Sequence, residues 1–398
     1  MNQYPVISKQ EYRTRLDGFR ALMHKHNIDL TVAFSNILDP STVRYFADFS
    51  AVNESSAVII PAEGTPYLCS GQAGYDYALI KNKLPDSEIK VFPEIGEVSG
   101  FEYDFEGQLD FAQFFAELKG KYNVKRIALI GRLTFPAIIY NKLRMVFPDA
   151  ELIDFDSEYY ELRVVKTADE LACIRKASEI ITDAYRTAVP AIKEGMTEYD
   201  IQAMFESAIL RGGAESNVMA FSHMVATGPV NSNISMCRNT ARKVESGEII
   251  NLAGGCCYEG YNGVICSPYV LGNVPQKIKD AIRCAYDALN YCSSKMIPGT
   301  PCDVVLNAYT DYLTKYGYID YCPYGSLHST GLLECEAPVF TVSNKRIIQE
   351  NMAICIDAYF KGMDWGSFRI EDNYEITANG ARRMTHYNDE ALPVLLGK

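Results

Sequence analysis

Residues 249–272 read IINLAGGCCYEGYNGVICSPYVLG: two apolar arms joined by a turn built on Glu259, Gly260 and Tyr261, each ending in glycine. Aliphatic and aromatic residues punctuated in this way predict a long antiparallel hairpin near the chain centre. A hairpin of this outline is a common platform for metal-binding carboxylates. Neither arm carries one, and Ala253 and Val264 stand where acids would be sought.

Outward from the hairpin the chain has two textures. Up to about residue 160, strand-like segments (29–35, 56–70 with a turn at Glu63-Gly64, 88–92, 126–131, 150–155) alternate with helical ones (75–84, 109–122, 136–147). That alternation predicts a mixed sheet flanked by helices. A charged stretch, 156–170, precedes two long helices at 168–189 and 197–211, the second capped by Thr197 with acids in its first turn. Strands dominate 217–272, helices 275–316, and strands again 338–385. With 398 residues the chain exceeds what one core usually serves. Two domains are expected, 1–160 and 161–398, with the boundary near 157–166.

Fifty acids against 38 bases give a net charge of −12, which argues against nucleic acid or an anionic membrane as partner. No apolar run reaches 18 residues and the N-terminus lacks the apolar core of a signal peptide, so a cytoplasmic protein without membrane spans is expected. The twelve cysteines are scattered and form no CxxC pair, as suits free thiols in a reducing compartment.

Four stretches could carry chemistry: the hairpin, SLHSTGLLECEAPVF (326–340) with His328, MAICIDAYF (352–360) with Asp357, and FRIEDNYEIT (368–377) with Glu371 and Asp372. Asp357 interrupts an apolar strand, and a carboxylate buried there needs a metal, a cation or a proton. A structural ion pair with Arg369 answers the same requirement. His328 could equally be a core imidazole held by backbone, and Glu371 could lie on a solvated strand face.

VKTADELACIRKASEI, GMTEYDI, ATGPVNSN, SGEIINLAGG…GY, His328 with STGLLECEAP, and RIED occur in an order and spacing that resemble the creatinase, prolidase, aminopeptidase P and methionine aminopeptidase family. The resemblance extends over nearly the whole chain. It implies an α+β architecture: a small N-terminal α/β creatinase-like domain and a C-terminal pita-bread domain with a curved antiparallel sheet. Metallopeptidases of this family hold two divalent ions with two Asp, one His and two Glu. On this sequence those positions fall on Ala253, Val264, His328, Asp357 and Glu371. Creatinase is a metal-free member, but its catalytic His falls here on Met236, a helpful glutamate on Cys266, and a second family His on Cys335.

Because Ala253 and Val264 have no lone pair to give, the resemblance leads to an expectation of no metal and no other cofactor. The expected activity is metal-independent, creatinase-like hydrolysis of a C–N bond, amide or amidine, in a small polar cationic or zwitterionic molecule. His328, Asp357 and Glu371 would be catalytic. Cys237, Tyr261, Cys266, Cys335 and Arg369 would line the substrate site, and a thiol among Cys237, Cys266 and Cys335 could act as nucleophile beside His328 or take a soft metal. The resemblance also implies a homodimer in which the N-terminal domain of one subunit closes the other's pocket, bringing Asn53 and Glu54 of FSAVNESSA (49–57) to the substrate. Two alternatives stand: an Xaa-Pro dipeptidase or aminopeptidase using one divalent metal on His328, Asp357 and Glu371, and a non-catalytic binding or scaffold protein.

Overall fold

The computed structural model describes residues 4–97, 108–217, 223–324 and 327–397. The part of the strand-rich span 217–272 that falls on 218–222 lies outside the described residues, as does Ser326 before His328. The chain divides into two compact units, Ile7–Arg163 and Val164–Lys398, with Met1–Val6 counted with the second. Among the described residues no helix is long and apolar enough to cross a membrane.

The first unit runs α1 (Lys9–Lys25), β1 (Leu30–Ser35), α2 (Ser41–Ala47), β2 (Ser56–Pro61), β3 (Tyr67–Ser70), α3 (Tyr75–Lys81), β4 (Glu88–Val91), α4 (Phe111–Lys121), β5 (Arg126–Ile130), α5 (Ala137–Val146) and β6 (Glu151–Asp154). Its strands form one mixed sheet in the order β4-β3-β2-β1-β5-β6, antiparallel between β1 and β2 and between β2 and β3, and parallel elsewhere. The core on one face is aromatic, with Phe92 stacked on Phe111 and Tyr67 edge-on to Phe114. The charged stretch after residue 155 becomes a helix of its own, α6 (Asp156–Val164).

The second unit opens with α7 (Ala168–Ala188) and α8 (Glu198–Arg211). Each begins in a capping box, Thr167 with Glu170 and Thr197 with Asp200, so both starts are encoded locally. After β7 (Ser216–Asn217), β8 (Met224–Thr227) and the single turn α9 (Gly228–Asn231) comes the hairpin, β9 (Ile249–Tyr258) and β10 (Tyr261–Val270). Then follow α10 (Gln276–Ser293), α11 (Cys302–Lys315), β11 (Leu327–Ser329), β12 (Glu336–Val339), β13 (Ala353–Met363), β14 (Gly366–Thr377), β15 (Gly380–Arg383) and α12 (Tyr387–Leu395). The sheet order is β12-β11-β13-β14-β10-β9-β7, with β15 on β14 and β8 on β9. Every pairing in this second sheet is antiparallel. α10 buries Ile278, Ile282, Ala285 and Leu289, spaced by three and four, into a core shared with Ile354, Ile356, Phe360 and Phe368.

The hairpin turn is tighter than its sequence suggests. Glu259 and Gly260 alone make it, both with positive φ (48° and 82°), and Tyr261 already belongs to β10. Gly263 tells which face of the hairpin is covered. A Cβ there would lie 2.4 Å from the backbone N of Ser178 and 2.5 Å from the carbonyl carbon of Ala177, so α7 crosses β10 at backbone contact. Val264 and Cys266 therefore project to the opposite face. Gly263→Ala should cost roughly 3 kcal/mol, because a helix rather than a flexible side chain must move aside. The urea midpoint reads this, and a loss below about 0.5 kcal/mol would rule out so close an approach.

Candidate functional site

The site is built by strand register. Asp357 on β13 pairs with Glu371 on β14, Glu371 with Cys266 on β10, Cys266 with Ala253 on β9, and Ala253 with Met224 on β8. These residues form one transverse row. The neighbouring row holds His328 on β11, Cys355 on β13 and Asn373 on β14. Residues two apart on a strand share a face, so both rows look the same way.

His328 Nδ1 lies 3.1 Å from the Ser329 carbonyl oxygen. That oxygen can only accept, which assigns the Nδ1 proton and leaves Nε2 facing the site. Nε2 meets two carboxylates, Glu334 Oε1 and Glu371 Oε1, each at 3.6 Å. With both carboxylates ionised, a neutral ring would aim a lone pair at two anions, so the arrangement favours a positive charge at Nε2: a proton or a bound cation. Burial pulls the His328 pKa down, but Cys335, Glu371 and Glu334 together raise it well above the ordinary imidazole value. Glu371 is held below the usual carboxylate range. Burial opposes this, and the His328 contact, with Cys266 and Arg369, outweighs it. Glu334 is pushed up to about 7, chiefly by burial and then by Glu371.

Asp357 is 6% exposed, and both of its partners fall on one oxygen. Oδ2 accepts from the Tyr324 hydroxyl at 2.7 Å and lies 3.3 Å from Arg369 Nη1. Oδ1 has no hydrogen-bond partner among the described residues. Arg369 is itself pinned: Nη2 donates to the Ser235 carbonyl at 3.0 Å, and the guanidinium lies 4.4 Å over the Tyr359 ring. The structure thus brings Arg369 to Asp357 as an ion pair, with the guanidinium held between Asp357, the Ser235 carbonyl and the Tyr359 ring. Burial still leaves Asp357 above its ordinary pKa, with Arg369 opposing.

Other expected site residues divide. Cys266 Sγ lies 3.1 Å from Glu371 Oε2, and Cys237 packs against Met224, Ala253 and Cys266. Burial raises both thiols, which disfavours the thiolate form in the ion-free site. Cys335 is exposed. Tyr261 is not in the site: it stands at the hairpin tip, where its hydroxyl donates to Glu170 Oε1 at 2.8 Å. Glu54 is committed within its own unit, its two oxygens accepting from Ala73 N (3.0 Å) and Gly74 N (2.8 Å) at the start of α3, while Asn53 bonds Glu97. Those two backbone donors hold the Glu54 carboxylate against the start of α3.

Three participants escaped the sequence reading. Tyr324 gave no signal. Glu334, six residues after His328, could have been found by asking which acids share the histidine's turn. Cys355 precedes Asp357 by two in AICID, and period two alone puts it on the same face.

The donors present decide what metal could be held. Ala253 and Val264 stand in the lattice beside Cys266 and Asn373 and leave one end of it without oxygen ligands. Arg369 supplies the positive charge at Asp357. Two ions do not fit; one does, at His328 Nε2 and the orphaned, buried Glu371 Oε1.

Residues 172–378 match the family model of metallopeptidase family M24, and residues 15–165 that of the creatinase/prolidase N-terminal domain. An Xaa-Pro dipeptidase of Pyrococcus furiosus is 26% identical over 382 residues, covering 96% of this chain and all of that one. Another from Pyrococcus horikoshii is 25% identical, covering 88% of this chain and 98% of its own. Among solved structures, a prolidase from Thermococcus sibiricus superposes with TM-score 0.81 at 21% identity, over 94% of this chain and 96% of that one. At that identity the likeness concerns the fold: two domains, the second a pita-bread domain on an antiparallel sheet.

These matches overturn the expectation of a metal-independent, creatinase-like C–N hydrolase. The C-terminal half matches metallopeptidases, and full-length relatives are Xaa-Pro dipeptidases. That expectation equated the loss of two carboxylates from a five-ligand cage with the loss of every ion, although His328 and Glu371 remain as donors.

Proposed function

The chain belongs to metallopeptidase family M24, and we propose that it is an Xaa-Pro dipeptidase working with one divalent ion. The observation that carries this is the convergence of Glu334 and Glu371 on His328 Nε2, with Nδ1 tied to backbone. His328 and Glu371 would hold the ion. When bound, such an ion supplies Lewis-acid polarisation of the scissile carbonyl and a water acidified toward neutrality.

The chain's own residues supply the proton handling. A proline amine leaves only once protonated, and Glu334, with its pKa at about 7, can hold and give a proton at neutral pH. Asp357, neutralised by Arg369 and Tyr324, positions the floor of the site without competing for the ion. Buried aromatic rings, Tyr359 among them, keep bulk water from the carboxylates.

The test is hydrolysis of Ala-Pro against Ala-Ala by the full chain, after EDTA and after return of Mn²⁺, Co²⁺ or Zn²⁺. Cleavage of Ala-Pro that EDTA abolishes and one of these ions restores is expected. Metal-replete protein that leaves a panel of Xaa-Pro dipeptides intact overturns the proposal.

A further inference from the structure

His328 and Glu371 have a third neighbour able to bind the same ion. Cys355 lies directly across from His328 in the β11–β13 pairing and from Asn373 in the β13–β14 pairing. One donor atom each from His328, Cys355 and Glu371 lie within 4.8 Å of one another. The thiol is fully buried, and its sulfur sits 3.3 Å from Asn373 Oδ1, which also accepts the Val264 backbone N–H at 3.2 Å. That carboxamide is held by backbone, and its oxygen takes the Cys355 S–H hydrogen bond in the ion-free site, a bond given up when the proton leaves. Opposite it, Glu371 Oε1 is buried with no hydrogen-bond partner among the described residues, an acceptor of the kind a cation satisfies.

Metal–ligand bonds of about 2.0–2.3 Å put tetrahedral ligands about 3.5 Å apart, so the cluster closes on an ion with side-chain shifts of about 1 Å. We propose that Cys355 is the third protein ligand of a single-ion site with His328 and Glu371, and that its sulfur makes the site favour zinc-like ions over manganese. This rests on the one-ion peptidase reading and names the ion class that reading leaves open. Imidazole with carboxylates alone accepts Mn²⁺ readily, whereas a thiolate is a soft donor that selects Zn²⁺ and Co²⁺. On binding, the Cys355 S–H bond breaks, the sulfur electron pair forms the bond to the ion, and the proton passes to solvent. Cys266 is a weaker candidate because its sulfur is already engaged with Glu371 Oε2, the oxygen turned away from His328.

Cobalt(II) titrated into the metal-stripped full chain reports sulfur ligation directly, through a near-ultraviolet sulfur-to-cobalt charge-transfer band. The wild type should show the band at one cobalt per chain. Cys355→Ser should lose it, and Cys237→Ser, Cys266→Ser and Cys335→Ser should each keep it. Zinc affinity, measured by competition with a chromophoric chelator, should fall at least about 100-fold in Cys355→Ser, since even outer-sphere partners are worth 10–100-fold. Stoichiometric cobalt without the band, or a band that follows one of the other three cysteines, overturns the assignment while metal-dependent Ala-Pro hydrolysis stands. Failure to bind cobalt or zinc at all overturns it together with the reading beneath it. Should Cys355→Ser not fold, the wild-type band and its survival in the other three variants decide.

Discussion

Glu371→Gln is expected to lower kcat/KM on Ala-Pro by at least about 100-fold, with the far-ultraviolet circular dichroism of the folded chain unchanged. The amide keeps the size of the side chain and removes the charge that faces His328 Nε2 at 3.6 Å. Since partners one shell out from a metal are worth 10–100-fold, a ligand itself should cost the upper end or more. The effect should sit in kcat, because the interaction lost is with the reacting centre rather than with remote parts of the substrate. Stability should fall modestly rather than rise. An uncompensated carboxylate would be relieved by neutralisation, but Glu371 is held below its ordinary pKa, with His328 as the main opponent of burial. Its charge therefore stabilises the fold at neutral pH and is missed when removed. Retention of full activity in Glu371→Gln would take this residue out of the site.

The sequence made the outline of this site readable and hid its register. β13 was evident from a single acid inside AICIDAYF, and the hairpin from its glycine turn. Which acid Asp357 faces was not evident. Counting back from the short turn between Met363 and Gly366 pairs Asp357 with Asp372. A bulge between Phe360 and Met363 shifts the count by one, so Asp357 pairs with Glu371 instead. A one-residue slip reverses every side chain, and here it sends Asp372 to the other face, where Thr385 donates to it at 2.7 Å. Arg369 illustrates the same limit. It was visible both as a partner for Asp357 and as a substrate ligand, and only the structure shows the ion pair together with the Ser235 and Tyr359 contacts around its guanidinium. Glu54 shows a related limit: the sequence offers it as a loop acid and gives no sign that the backbone N–H groups of Ala73 and Gly74 hold its two oxygens.

Restoring the two carboxylates tests the lattice most severely. In Ala253→Asp/Val264→Asp both new acids enter positions only 9% and 3% exposed, beside Met224, Cys266 and Asn373. Without a cation neither can remain ionised there at low cost, and each instead keeps its proton at pH 7. Moving an Asp pKa from about 3.9 to 7 or beyond costs about 4 kcal/mol, which caps the penalty per residue because the group neutralises rather than climb further. Two such groups approach about 8 kcal/mol, a large share of the 5–15 kcal/mol typical of a whole folded protein. In EDTA the double variant should therefore lose roughly 10 °C or more in Tm. Manganese or cobalt should return much of that loss, since two added oxygen donors near Glu371 create a seat for a second ion and ions that bind only the folded state stabilise it. Elemental analysis should rise from one ion per chain toward two. The return should be incomplete while Arg369 still occupies the Asp357 end, and Arg369→Met added to the pair should raise it. A double variant as stable as the wild type in EDTA would place residues 253 and 264 outside the buried row, and the register that assembles this site would be wrong.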